Sequence, residues 1–193
     1  MNDFILASQS PRRKQILEWA ELDFEVIVKS TDEKYPDNLA IEQIPIYIAQ
    51  QKAIAVQKYI QTAYHQQYSK KPILAADTIV VLDGKIIGKP SDRENAIEIL
   101  EMLSGRTHQV ITGVVLLNAK ADIAFSDITE VLFNQLSRSQ IEFYVDKYQP
   151  YDKAGAYAIQ EWIGVVGIAS IKGDFYNVMG LPISRLIKEL EFF

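Results

Sequence analysis

The chain has 193 residues, 48% hydrophobic and 23% charged, a composition that suits a globular protein with one substantial core. A net charge of −5 and an isoelectric point near 5.1 argue against a nucleic-acid polymer or an anionic membrane surface as the main partner, and leave room for a small anion in a local positive pocket. The absence of Cys removes thiolate and Cys-metal chemistry, and with His65 and His108 widely separated, any metal is expected to be hard and oxygen-bound.

Phe4 to Ala7 reads as a short apolar strand, followed by Ser8-Gln9-Ser10-Pro11-Arg12-Arg13. Ser10 fits a helix N-cap and Pro11 the first helical position, which places Arg12 and Arg13 in the first turn. Cations there oppose the helix dipole at roughly 0.3–1 kcal/mol each, unless an anion sits among the free amides and guanidinium forks. Two readings stand, a phosphate site and a solvated basic helix start. The helix is predicted to run to about Ala20, followed by a strand over Phe24 to Val28 and a polar loop, Ser30 to Asn38, holding Asp32 and Glu33. A long helix over Leu39 to Gln61 carries the apolar stripe Ala49, Ala53, Val56 and Ile60, with Lys52 at its margin, where a lysine usually snorkels outward. Tyr64 to Lys71 reads as a polar connector.

Ile73 to Leu82 is the most strand-like segment, nearly continuous in apolar residues. Asp77 interrupts it, and a buried unpaired carboxylate there would cost several kcal/mol. Its partner is a structural Lys or Arg, or Asp77 is itself a catalytic base or metal ligand. Asp83-Gly84 signals a tight turn into a return strand, Lys85 to Gly88, and Gly88-Lys89-Pro90 then fixes a lysine on the chain beside it. A helix over Asp92 to Leu103 ends at Ser104-Gly105. Strands over Gln109 to Leu117 and Ala124 to Phe133 flank a hairpin loop, Asn118 to Asp122. A short helix from Ser137 or Arg138 to Asp146, a loop over Tyr148 to Lys153, a strand pair around Ala156 to Ile171 and a helix over Leu181 to Leu190 complete the expectation. In Asp152-Lys153-Ala154-Gly155-Ala156-Tyr157-Ala158-Ile159-Gln160, the small residues suit either close approach to a ligand or a tight turn, and Gln160 has the donors and acceptor to read a base edge.

Arg12, Arg13, Lys52 and Lys89 together would make a positive pocket of polyphosphate size on an acidic protein. Ser8 and Ser10 have no general base beside them in sequence, so hydrogen bonding to phosphate suits them better than nucleophilic attack. The mixture of hairpins and helical crossovers predicts an α/β fold: a mixed twisted sheet with flanking helices, in two lobes around a cleft, forming one domain over residues 1–193. No basic leader with an apolar core and no run of about 18 apolar residues is visible, so a cytoplasmic location without membrane insertion is expected.

In order and spacing, LASQSPRRK, AADTIV, GKPSDRENA with LSGRTHQVITGV, DKAGAYAIQ and GDFYNVMGLPISRL resemble the Maf family of nucleoside triphosphate pyrophosphatases, from near residue 4 to near residue 190. The resemblance implies a Maf/ITPase-like fold and hydrolysis between the α and β phosphates with a divalent metal, Mg²⁺ or Mn²⁺. It makes Asp77 the proton acceptor, and Arg12, Thr78 and Gln160 the residues of base choice. All three match the branch acting on dTTP and UTP, a house-cleaning activity that extends to modified pyrimidine nucleotides. The sister branch acting on 7-methyl-GTP is the alternative substrate reading. A non-hydrolytic nucleotide-binding regulator of septum formation is the alternative of another class. Where the family commonly has Tyr-Gly-Ile-Gln-Gly, this chain has Tyr157-Ala158-Ile159-Gln160-Glu161-Trp162, a change beside the expected base pocket. Within this frame Ser8, Ser10, Arg13, Lys52 and Lys89 bind phosphates, and Glu33 joins Asp77 as a metal ligand. The family suggests a homodimer, with Trp162, Phe192 and Phe193 as candidate interface residues.

Overall fold

Alternating apolar strands and amphipathic helices give a mixed α/β chain, described for residues 3–63, 68, 70–118 and 122–191 in a computed structural model. His65, Phe192 and Phe193 lie outside the described residues, as does part of the connector at 64–71 and of the loop at 118–122. Phe4–Leu6 (β1) leads into Pro11–Trp19 (α1) and Phe24–Val26 (β2), and a 3₁₀ turn at Ile41–Gln43 opens Ile44–Ala63 (α2). Ile73–Leu82 (β3) turns through Asp83 and Gly84, at φ 49° and 73°, into Lys85–Ile87 (β4). Two left-handed residues in a two-residue loop match the twist of the flanking strands. Arg93–Leu103 (α3), Thr107–Leu117 (β5), Asp122–Phe133 (β6) and Arg138–Tyr148 (α4) follow, then Trp162–Gly167 (α5), Ile168–Lys172 (β7), Phe175–Met179 (α6) and Ile183–Leu190 (α7).

The sheet has seven strands in the order β2-β1-β3-β5-β6-β7, with β4 beside β3. β1 pairs in parallel with β2 and β3, whereas β4 on β3 and β7 on β6 are antiparallel, so the sheet is mixed as expected. Two compact units divide the chain, one of Met1–Asp77, Thr112–Asp127 and Gly180–Phe193, the other of Thr78–Ile111 and Ile128–Met179.

In the first unit the predicted stripe of α2 (Ala49, Ala53, Val56, Ile60) is buried against Ile5 and Ala7 of the β1 segment, Ile73 and Ala75 of β3, and Val115 and Leu117 of β5. Gly113 of β5 permits this closeness, because a Cβ there would lie 2.2 Å from the Ile46 nitrogen and 2.3 Å from the Pro45 carbonyl carbon. In the second unit Asp92 caps α3, accepting the Asn95 N–H at 2.9 Å, and α3 buries Ala96, Ile97, Ile99, Leu100 and Leu103. His108, Phe133 and Tyr157 pack edge to face with centroids 5.0–5.4 Å apart.

The strand pair expected around Ala156 to Ile171 does not form. The segment is a 3₁₀ turn at Ala154–Ala156, an extended stretch, α5, and then β7 alone on β6. The Ala158 N–H, which a ladder would have used, donates to the Tyr144 hydroxyl at 3.1 Å, and Gly164 sits so close to Ile159 that a Cβ would lie 1.7 Å from its carbonyl oxygen. A hydrogen bond from another helix and a close backbone approach within the segment thus override a β-rich local composition. Trp162, expected as an exposed interface residue, is half-buried with its ring edge-on to Phe143 at 4.9 Å.

Candidate active site

The turn after β1 is organised by its own polar side chains. Ser8 is buried, and its Oγ accepts the Ser10 N–H at 3.2 Å and an Arg13 guanidinium N–H at 3.1 Å. Ser10, with extended φ and ψ of −63° and 116°, caps α1 and accepts the Arg13 backbone N–H at 3.5 Å. The Arg13 Nε donates to the Gly180 carbonyl at 2.7 Å, so two of its guanidinium donors hold protein groups in place. Burial lowers the Arg13 pKa to about 10; Asp77 draws it back up, Arg12 depresses it further and Glu33 raises it. The side chain is therefore cationic at neutral pH and lies within the field of both carboxylates. Arg12, its neighbour in the first turn, is half-buried.

Strand alternation places Ile73, Ala75 and Asp77 on one face of β3, the face that α2 covers. Lys52, next to the buried Ala53 on α2, meets Asp77 there. Its Nζ lies 2.7 Å from Asp77 Oδ1 and 2.8 Å from Glu33 Oε1, and the lysine and aspartate side chains are only 18% and 13% exposed. The margin lysine thus turns to the carboxylates instead of out to solvent. A cavity of about 230 Å³ adjoins this cluster, with Gln9, Lys29, Ser30, Thr31, Glu33 and Lys52 among its lining residues. It opens past the carboxyl ends of the parallel strands β1 and β2, the end at which open α/β sheets present their ligands.

Two carboxylates within reach of one ammonium form a suitable donor set for a small hard cation, which takes its remaining ligands from water and phosphate. Among the described residues no group of three or more His, Asp or Glu side chains is placed to hold a metal.

Ser8, Ser10, Arg12, Arg13, Glu33, Lys52 and Asp77 all belong to the first unit; Thr78, Lys89 and Gln160 belong to the second. Thr78 is half-buried on β3, facing opposite to Asp77 by strand alternation. Lys89 is exposed between Gly88 and the buried Pro90. Gln160 is exposed just before α5, whereas its neighbour Glu161 accepts the Tyr144 hydroxyl and lies 3.8 Å from the Lys153 ammonium. The small residues at 154–156 form the tight turn: Gly155, at φ 70°, donates its N–H to the Gly88 carbonyl at 3.1 Å and packs on Val80. Lys29, Thr31 and Gln9 are the lining residues that sequence reasoning missed. The signal lay in the β1-α1-β2 unit, whose parallel pairing carries the segment after β2 to the same strand ends as Ser8.

Residues 3–193 match the family described as Maf-like protein. This chain belongs to that family. Maf relatives include a dTTP/UTP pyrophosphatase of Bacteroides thetaiotaomicron, 48% identical over 97% of this chain and 94% of the relative. Another of that name, from Cytophaga hutchinsonii, is 48% identical over 98% of this chain and 83% of its own length, and a third, from Parabacteroides distasonis, is 45% identical over 98% and 95%. The Ham1 protein of Staphylococcus aureus shares the fold, with a TM-score of 0.55 over 99% of both chains at 18% identity. No described helix of this Maf-like chain is long and apolar enough to cross a membrane.

Proposed function

We infer that this chain is a nucleoside triphosphate pyrophosphatase that hydrolyses dTTP and UTP, and modified pyrimidine nucleotides of the same shape, to the monophosphate and pyrophosphate. The observation that carries this reading is Asp77: a carboxylate 13% exposed, the one ionisable residue of strand β3, held at 2.7 Å by Lys52 among Arg12, Arg13 and Glu33. A module that merely grips triphosphates gains nothing from a carboxylate beside the phosphates, where it repels the ligand. A hydrolase needs one to take a proton from water.

In this mechanism water attacks the α-phosphorus, Asp77 accepts its proton, and the bond from the α-phosphorus to the oxygen bridging it to the β-phosphorus breaks. Arg13 and Lys52, with Lys89 from the second unit, neutralise charge on the triphosphate and on the departing pyrophosphate, while Ser8, Ser10 and the first amides of α1 donate hydrogen bonds. A divalent cation, Mg²⁺ or Mn²⁺, held by Asp77 and Glu33 would polarise the phosphoryl oxygens. Arg12, Thr78 and Gln160 select the base, and the pyrimidine preference is supported by the names of the relatives. The two units act as one domain over residues 1–193, a reading supported by the family match that runs through both. A homodimer and a cytoplasmic setting, where nucleoside triphosphates are found, complete the proposal.

Asp77→Asn keeps the size of the side chain and removes its charge. With dTTP and Mg²⁺, pyrophosphate release is expected to fall by roughly 10²–10⁴-fold while the far-ultraviolet dichroism stays native. Near-full turnover in a folded Asn variant would remove Asp77 as the proton acceptor.

A further inference from the structure

Lys52 touches both carboxylates assigned to the cation, at 2.7 Å and 2.8 Å, and so sits where a divalent ion would have to sit to use the same pair. Two like charges cannot share that position, and at the Asp77 end, where Lys52 and Asp77 are 18% and 13% exposed, screening by water is weaker than at the half-exposed Glu33. Arg13 lies in the same field, so a bare cation approaching Asp77 and Glu33 meets two resident positive charges. The backbone under Lys52 cannot retreat, because Ala49, Ala53 and Val56 on either side of it are locked in the core. The side chain can: four methylenes and a compact ammonium let it swing without moving α2.

We propose that Lys52 is a resident counter-ion of the Asp77–Glu33 pair, which yields the carboxylates only when a triphosphate offers it other anionic partners, so that the divalent cation enters with the nucleotide and not before it. This rests on the pyrophosphatase reading and adds to it the form in which substrate arrives, the metal–nucleotide complex. Lys52 then has two successive partners: carboxylates in the free protein, phosphate oxygens in the complex. Linkage requires the exchange to be reciprocal, with nucleotide tightening metal by the factor with which metal tightens nucleotide.

The test is Mn²⁺ binding to the full chain without nucleotide, read from the paramagnetic resonance signal of free Mn²⁺, for wild type, Lys52→Met and Lys52→Arg. The Met variant is expected to bind Mn²⁺ about tenfold more tightly than wild type or more, and the Arg variant to stay near wild type. A saturating α,β-methylene analogue of dTTP should recover tight Mn²⁺ binding in wild type. Equal Mn²⁺ affinity in wild type and a folded Met variant overturns the proposal. So does wild-type affinity that is the same with and without the analogue, a result that needs no variant to fold. Pyrophosphate release from dTTP by the same wild-type preparation separates the two claims: release with unchanged Mn²⁺ affinities removes only the Lys52 exchange, whereas no release from any nucleotide removes the underlying function.

Discussion

At the scale of a residue, Arg13 shows how a buried charge is accommodated: its guanidinium donates to neutral protein acceptors and lies in the field of Asp77 and Glu33. Its guanidinium ties the Ser8 hydroxyl to the Gly180 carbonyl, which makes it a brace for the β1-α1 turn as well as a positive charge in the field of Asp77. Arg13→Ala leaves both acceptors without that donor, and the expected cost is roughly 3 kcal/mol in urea unfolding, together with a loss of turnover. His108 is buried with its Nε2 2.7 Å from the Tyr157 hydroxyl and its Nδ1 without a partner among the described residues. Burial lowers its pKa from 6.5 to about 4, so between those values the unfolded chain binds a proton that the folded chain refuses. The stability from keeping His108 neutral is therefore complete above pH 6.5 and lost as pH falls, by about 3 kcal/mol at pH 4. Unfolding free energies measured from pH 7 to pH 4 for wild type and His108→Gln should diverge by that amount; parallel curves would remove His108 as the source.

At the scale of elements, the position of α2 determines whether Lys52 meets Asp77, and Gly113 determines the position of α2. Gly113→Ala forces a Cβ within 2.3 Å of the Ile46 nitrogen and Pro45 carbonyl carbon, backbone atoms that cannot rotate aside. Stability should fall by roughly 1–3 kcal/mol, and turnover should fall with it as Lys52 is displaced, both checked on one preparation by urea titration and pyrophosphate release. Much of this scaffold was legible locally. The bounds of β3, the stripe Ala49, Ala53, Val56 and Ile60, the Ser10 cap and the Asp83-Gly84 hairpin are each written within a few residues by periodicity or turn chemistry. What was not legible depends on tertiary partners that the local pattern does not name. Trp162-Ile163-Gly164-Val165-Val166-Gly167 has a strand's composition and forms a helix, since Tyr144 takes the Ala158 N–H and Gly164 presses on Ile159. The inward turn of Lys52 was hidden for the same reason, because its position on α2 fits an outward lysine equally well until β3 is in place. Lys29 stayed unseen because its place beside Gln9 and Thr31 depends on the parallel order of β1 and β2.

For the whole molecule, an overall charge of −5 and the local grouping of Arg12, Arg13 and Lys52 around Asp77 favour a small anion over a polymeric one. At the departure from the family pattern, Glu161 engages Tyr144 and Lys153, and Trp162 packs on Phe143. Gln160 itself remains exposed. The central claim is tested most directly by pyrophosphate release from a panel of dTTP, UTP, modified pyrimidine triphosphates, 7-methyl-GTP and the purine triphosphates, each with Mg²⁺. The account predicts monophosphate and pyrophosphate in equal amounts, fastest from the pyrimidine nucleotides. Preferential turnover of 7-methyl-GTP, or tight binding of dTTP with no pyrophosphate from any member of the panel, would contradict it.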